Sequence, residues 1–444
     1  MLKLDKYFSK NKINIMKISS GTVLGQAVSV ITLPVIARLY APSILGEFAS
    51  VNAVITICAS YLDLGLTNAI MIEKDEDTYD LYRVISTLTL LLTVISTACA
   101  GMYLSTVMTV GISKLVWIIL YFAVNLFVSQ QIQLSYTWLN RNQEYSCLMK
   151  NQVIKSIVFG ITAIGLGLCG SGESGYFLGY TLSQIATLMH MRRLLPSGLL
   201  IFNVELSVKF FKKHRHFLIY QLPFNLIGNF KDQLPTLLIG RFWGDSMLGY
   251  YSMAQKILSI PVGILSNAIG KVFYSIASEM RRKGEGIGSY VQKNITRAML
   301  LAILPVAVIM ACSDTLIPLV LGNEWMDASG FIVILAFQAY IVFLQGSVQG
   351  LSIILEKQSY SLVSVIAQIA AVFAAVLLGN YWFTSIYVAL LLMVLLFSII
   401  TTIYFSFMYG VMDLSRYQYP VTIFFSMVGI VLLYWGLHGI LNVL

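Results

Sequence analysis

Charge is scarce in this chain. Of 444 residues only 11% are Asp, Glu, Lys or Arg, against about a quarter in a soluble globular domain. With 58% hydrophobic residues and a mean hydropathy of +0.80, the surface of a water-soluble fold of this length cannot be covered, so lipid is the expected solvent. Histidine is scarcer still. The four present, His190, His214, His216 and His438, are not grouped as metal ligands, and His214 and His216 fall in a basic run where a solvated face is expected. The five cysteines, Cys58, Cys99, Cys147, Cys169 and Cys312, are scattered through mostly apolar segments. Their spacing fits neither a disulfide framework nor a zinc site, and they are read as small buried hydrophobes. The chain lacks GxxxxGK[ST], GxSxG and HExxH, which removes P-loop ATP hydrolysis and the familiar hydrolase signatures. No cofactor or metal is expected, and a non-enzyme is.

What the chain has is long apolar runs. Stretches of roughly 20 residues, enough to cross a hydrocarbon core of about 30 Å, occur at 15–39, 45–70, 84–109, 114–138, 148–169 and 174–195. They recur at 217–241, 247–275, 296–320, 328–353, 360–379 and 384–409, and once more at 420–441. The expected fold class is an all-α polytopic membrane protein of 12–14 transmembrane helices. Its expected parts are a six-helix lobe at 1–195, a basic connector at 196–216, a second six-helix lobe at 217–409 and an extra C-terminal span at 410–444.

An internal repeat supports the two lobes. Arg38-Leu-Tyr-Ala-Pro-Ser-Ile-Leu-Gly-Glu-Phe48 returns at an offset of 203 residues as Arg241-Phe-Trp-Gly-Asp-Ser-Met-Leu-Gly-Tyr-Tyr251. Arg, Ser, Leu and Gly are identical and each copy sits at the tip between two apolar runs. Arg38, Gly46, Arg241 and Gly249 are therefore candidate structural residues of the hairpin tips. Duplicated helical lobes are how alternating-access transporters are built.

The basic residues give an orientation. Lys3, Lys6, Lys10, Lys12, Lys17, Arg141, Lys150, Arg192, Arg193, Lys209, Lys212, Lys213, Arg215, Arg281, Arg282, Lys283, Lys293 and Arg297 collect on one side, with Arg38, Lys114 and Arg241 opposite. The positive-inside bias makes the first side, and the N-terminus, cytoplasmic. The net charge of +9 is thus an orientation signal, and no nucleic-acid partner is expected. The run from Ile18 to Leu39 is too long for a signal-peptide core and no small-residue cleavage site follows it, so it reads as a retained span. The sequon Asn294-Ile-Thr296 lies on the expected cytoplasmic side and is read as chance.

Ionisable residues inside apolar runs are costly in lipid and mark cavities or pairs. They are Asp63, Lys155, Lys231, Asp232, Lys256, Lys271 and Asp314. A turn near residue 244 puts Lys256 level with Asp232 and Gln233, about 15 Å from the periplasmic face at 1.5 Å rise per residue. Two readings stand. Lys256 and Asp232 form an ion pair that fixes helix register, or Lys231 and Lys256 present positive charge to an anionic substrate with Asp232 holding one of them in place. The 203-residue offset matches these three positions to Val28, Ser29 and Ala53, so the charges are not a requirement of the repeat, which favours function. Asp63 and Lys155 are nearer the cytoplasmic ends of their helices, where snorkelling competes with substrate contact. Pro34, Pro223, Pro235, Pro261 and Pro305 fall inside apolar runs, where bends are expected.

The stretch Ser20-Gly-Thr-Val through Leu33-Pro-Val-Ile-Ala-Arg and on to Phe48, followed by Leu64-Gly-Leu-Thr-Asn-Ala-Ile70, resembles the opening of the Wzx-type O-antigen and capsule flippases. These are polysaccharide-biosynthesis members of the multidrug/oligosaccharidyl-lipid/polysaccharide exporter superfamily. Phe224-Asn-Leu-Ile-Gly-Asn through Leu248-Gly-Tyr-Tyr-Ser-Met-Ala-Gln-Lys-Ile-Leu258 resembles that family's second lobe. The resemblance implies a flippase that moves undecaprenyl-pyrophosphate-linked oligosaccharide units from the cytoplasmic to the periplasmic leaflet of a bacterial inner membrane by alternating access. It also implies a cationic cavity lined by the first two helices of each lobe, and a polysaccharide polymerase and glycosyltransferases as partners beside the bilayer itself. The candidate substrate-binding residues are Lys231, Lys256, Asp232, Lys155 and Asp63. The rivals are a cation-coupled drug antiporter of the same superfamily, which the excess of lysine over aspartate within spans disfavours, and a membrane polysaccharide polymerase, which the short periplasmic loops disfavour.

Overall fold

The computed structural model describes residues 2–107, 111–198 and 200–441, and within them the side chains of 20–102, 111–198 and 200–440. Lys3, Lys6, Lys10, Lys12 and Lys17 lie outside the described side chains. The described chain is helical with no strand, as backbone groups in lipid require, because a helix satisfies its own N–H and C=O groups. Eleven stretches are long and apolar enough to cross a membrane. One of these, Phe217–Arg282, is 66 residues long and bends within itself. Counted as two crossings, and with the less apolar Gly172–Met191 added, it brings the crossing-length helices to thirteen among the described residues.

Contacts divide the chain into two compact units. The first runs to Tyr40 and resumes over Ser50–Gln233. It contains α1 (Leu2–Leu39), most of α2 (Pro42–Leu62), a 3-10 segment at Leu66–Met71, α3 (Asp75–Val107), α4 (Ile112–Arg141), α5 (Tyr145–Leu168), α6 (Gly172–Met191), α7 (Val204–Lys213) and the start of α8 (Leu222–Arg282). Helices α1, α5 and α6 pack through small residues: Gly160 faces Thr32, Gly167 faces Leu39 and Gly179 faces Ala163. The buried Tyr40 hydroxyl donates to the Ala163 carbonyl at 2.7 Å, and its ring meets Tyr176 edge-on. The second unit comprises Ala41–Ala49 and Leu234–Leu444, with α9 (Gly288–Leu321), α10 (Ala328–Ser347), α11 (Leu351–Ile354), α12 (Gln358–Tyr381), α13 (Ile386–Val411) and α14 (Gln418–Leu441).

The bend in α8 falls at Gly244, with φ 81° and ψ 178°, a conformation open to glycine alone at no steric cost. This is the turn predicted near residue 244. Within the second unit the repeated hairpin residues meet reciprocally. A Cβ on Gly46 would run into the carbonyl of Asp245, and a Cβ on Gly249 would run into the carbonyl of Pro42. Pro42 and Asp245 are themselves equivalent under the 203-residue offset, as are Gly46 and Gly249, so the contact has the form of a two-fold exchange. Arg38 and Arg241, four residues before Pro42 and Asp245, are exposed.

Two expectations change, for the cysteines and for His214. Among the cysteines only Cys147 is buried; Cys58 and Cys312 are partly exposed and Cys99 and Cys169 fully so, because the outer surface of a helix in lipid accepts a thiol as readily as its core does. His214 is buried rather than solvated, for a reason given below. Pro34, Pro235, Pro261 and Pro305 lie within continuous helices and do not end them, and Pro318 joins them in α9. Pro223 instead follows a π-helical turn at Phe217–Gln221.

Candidate functional site

The first unit encloses a cavity of about 440 Å³, inside the usual range for small-molecule sites. Helix α2 supplies one face of it through Asn52, Ile55, Thr56, Ala59, Ser60 and Asp63, whose spacing of three and four residues is that of a single helical stripe. The 3-10 segment adds Thr67 and Asn68, α4 adds Ser129, Gln130 and Gln133, α6 adds Tyr180, and α8 adds Asn225 and Asn229. Only Ile55 and Ala59 in this wall are apolar, so a polar chamber sits inside a bundle whose helices are otherwise apolar.

Asp63 is the one charged residue in the lining. Its two carboxylate oxygens accept the backbone N–H groups of Gly65 at 3.0 Å and Thr67 at 3.1 Å. Leu64 and Gly65 both have positive φ, and this left-handed pair turns the chain from α2 into the 3-10 segment that carries Thr67 and Asn68. The stretch Leu64 to Ile70, part of the family resemblance, thus contributes Thr67 and Asn68 to the chamber wall and packs Leu66, Ala69 and Ile70 into the core behind it. Thr67 is buried and its hydroxyl has no hydrogen-bond partner among the described residues.

The other predicted residues are placed as follows. Lys155 on α5 is partly buried, with its ammonium 5.6 Å from the centroid of the Tyr180 ring, so it stands beside the wall without lining it. Lys231 pairs with its neighbour Asp232 at 3.0 Å. Asp232 is more than half exposed, and such a pair is worth at most about 1 kcal/mol. Lys256, in the second unit, is partly buried and forms no ion pair among the described residues. Asp232 therefore has a partner other than the one the ion-pair reading gave it. Lys271 and Asp314 are exposed.

An ion network fixes three of the elements that line the chamber. Glu73, just past the 3-10 segment, has a side chain only 1% exposed; it accepts from Lys213 at 2.6 Å and is bonded to His214 Nε2 at 2.6 Å. Burial alone would raise the Glu73 carboxyl, but the hydrogen bonds from Lys213, the Lys74 N–H and His214 outweigh it and hold the group at about 2. His214 is buried because it closes this contact. Lys213 and Lys209 also reach Asp77. Arg141, at the end of α4, donates to the carbonyls of Ile70 and Glu73 and to Asp75. The 3-10 segment, α4 and the approach to α8 are held together at one end of the chamber.

The second unit holds a small cavity of its own, of about 50 Å³, against Pro261, Pro305, Tyr340 and Phe343, with apolar walls. Among the described residues no group of three His, Cys, Asp or Glu side chains is placed to hold a metal ion.

Reasoning from charge picked out Asp63 and missed the rest of the lining. The signal was present as a polar stripe at helical spacing, Asn52, Thr56, Ser60 and Asp63, within an apolar run.

Comparison with known proteins agrees with this architecture. The fold superposes on the lipid II flippase MurJ in its inward closed conformation with a TM-score of 0.73 over 96% of this chain and 98% of that one, at 9% identity. An inward-facing multidrug-resistance MATE family transporter of the MOP superfamily matches with a TM-score of 0.62 over 90% and 98%, at 13% identity. By sequence, the chain is 24% identical to the teichuronic acid biosynthesis protein TuaB of Bacillus subtilis over 62% of this chain and 57% of that one. It is 29% identical to the probable low-salt glycan biosynthesis flippase Agl15 of Haloferax volcanii over 44% and 43%. The chain spans about half the length of these two relatives. The family model described as polysaccharide biosynthesis protein matches residues 35–330, two thirds of the sequence, and the chain belongs to that family.

Proposed function

We propose that this protein is a flippase that carries undecaprenyl-pyrophosphate-linked oligosaccharide repeat units from the cytoplasmic to the periplasmic leaflet of a bacterial inner membrane, its N-terminus on the cytoplasmic side. The single observation that carries the reading is the chamber of about 440 Å³ walled by carboxamides and hydroxyls within an apolar helical bundle. Polar walls inside a membrane protein cost free energy unless something polar occupies them. A saccharide headgroup supplies hydroxyls that both donate and accept, while its lipid tail stays in the bilayer. Family membership and the likeness in fold to a lipid-linked cargo transporter support the same reading.

Transport proceeds by alternating access of the two helical halves of the chain. The pyrophosphate needs positive charge. The cations offered are Lys231 and Lys155 in the first unit and Lys256 in the second, with Asp232 positioning Lys231. Asp63, engaged by two backbone N–H groups, shapes the chamber wall. Glycosyltransferases that build the cargo and a polymerase that consumes it are the implied partners.

Deleting the gene and analysing extracted lipids by mass spectrometry with a leaflet-accessibility assay tests this function. Single repeat units accumulating on the cytoplasmic leaflet are expected. Unpolymerised units on the periplasmic leaflet would make the protein a polymerase, and unchanged lipid-linked sugars would favour the antiporter.

A further inference from the structure

Every charged or hydrogen-bonding group in the chamber bears on which sugars it admits. Six of its lining side chains are primary carboxamides: Asn52, Asn68, Gln130, Gln133, Asn225 and Asn229. Each offers both donors and an acceptor, as a sugar hydroxyl or acetamido group does. Gln221 donates to the Asn225 carbonyl oxygen at 2.8 Å, which directs the Asn225 amide hydrogens elsewhere. The Thr67 hydroxyl is buried without a protein partner, and a ligand hydroxyl would satisfy it. Tyr180 contributes an aromatic ring against which the C–H face of a pyranose can pack.

Among the described residues no lysine, arginine or histidine lines the chamber. Lys155 is set against the Tyr180 ring, and the one charge in the described wall is the Asp63 carboxylate, each oxygen of which accepts one backbone N–H. A second anion brought beside Asp63 would meet like charge, with no cationic side chain in the described wall itself to offset it. Resting on the flippase reading, we propose that the chamber of the first unit is a recognition site for the uncharged, hydroxyl- or acetamido-bearing sugars of the cargo, and that it rejects uronic acids and other anionic sugars. Headgroup phosphates are compensated elsewhere, and the sugar specificity of this chain resides in the amide stripe of α2, α4 and α8.

The test is saturation-transfer NMR on the purified full-length protein in detergent, with methyl N-acetylglucosaminide and methyl glucuronide as paired probes. The neutral glycoside is expected to receive saturation and the glucuronide not. Asn229→Leu and Gln133→Leu, each checked for native thermal unfolding, should weaken the neutral probe roughly five- to tenfold, the change expected for a lost hydrogen bond or two. Gln133→Lys should admit the glucuronide. Equal saturation of both probes, neutral binding untouched by the chamber substitutions, or binding of neither probe would overturn the proposal. The readout is binding by isolated protein, so it is separable from transport. A chamber that takes glucuronide in a protein that flips its cargo defeats this inference alone, whereas neutral-sugar binding without flipping defeats the flippase reading alone.

Discussion

Asp63 and Glu73 lie ten residues apart, and the local geometry gives each a structural task. Asp63 closes the left-handed turn after α2 by accepting two backbone N–H groups. Replacing it with alanine strands both, at a cost of about 1–3 kcal/mol, so thermal unfolding of Asp63→Ala in detergent should show a loss of that size. Glu73 is held near 2, below the ordinary 4.5. A depressed carboxyl contributes stability that is fully present above its unfolded value and lost as pH falls through its folded value. The contribution, on the order of 2 kcal/mol once the exposure of Lys213 is allowed for, should therefore drain away between about pH 4.5 and 2. Glu73→Gln should be less stable at neutral pH and should lack that acid-dependent step, measured by denaturation across the same pH range. The sequence displayed every charge but not its partners. Lys213 and His214 read as a solvated basic run, and only the fold brings them to a glutamate far earlier in the chain. The carboxamides of the chamber were legible only as a spacing, since no single Asn or Gln in a long helix announces a ligand.

Helices were the most legible level, because the length of an apolar run is set by the membrane and needs no tertiary knowledge. All thirteen expected spans correspond to helices, and the hairpin at Gly244 falls where the repeat put it. The reciprocal contact of Gly46 with Asp245 and Gly249 with Pro42 explains why the repeat keeps glycine at that place. Gly46→Ala or Gly249→Ala forces the two helix ends apart and should cost about 1–3 kcal/mol. The double substitution should cost less than the sum, because either one opens the same contact. Differential scanning of the four proteins checks this. The short helix α7 was not visible beforehand. Ten residues with four charges give no membrane signal, and its start depends on the Asn203 side chain accepting the Leu206 N–H at 3.0 Å. Its helical state further rests on Phe210, which is fully buried, and on the Glu73 contact.

For the whole molecule, the polar chamber belongs to the first unit, and the cavity described in the second against Pro261 and Pro305 is small and apolar. Lys231, Asp232 and Lys256 have no charged counterparts at Val28, Ser29 and Ala53 under the 203-residue offset, so the repeat itself does not demand these charges. Lys256→Ala should reduce export of polysaccharide at least several-fold while the protein still reaches the membrane, because a desolvated pyrophosphate loses a compensating charge; export at the wild-type level would remove Lys256 from the site. The central claim is movement of a lipid-linked saccharide between leaflets. The most direct measurement reconstitutes the purified protein in liposomes carrying labelled undecaprenyl-pyrophosphate-linked oligosaccharide and follows the label's accessibility to an impermeant reagent. Protein-dependent exchange between leaflets that is slowed by Asn229→Leu or Lys256→Ala is the predicted result. Exchange no faster than in protein-free liposomes would contradict the account.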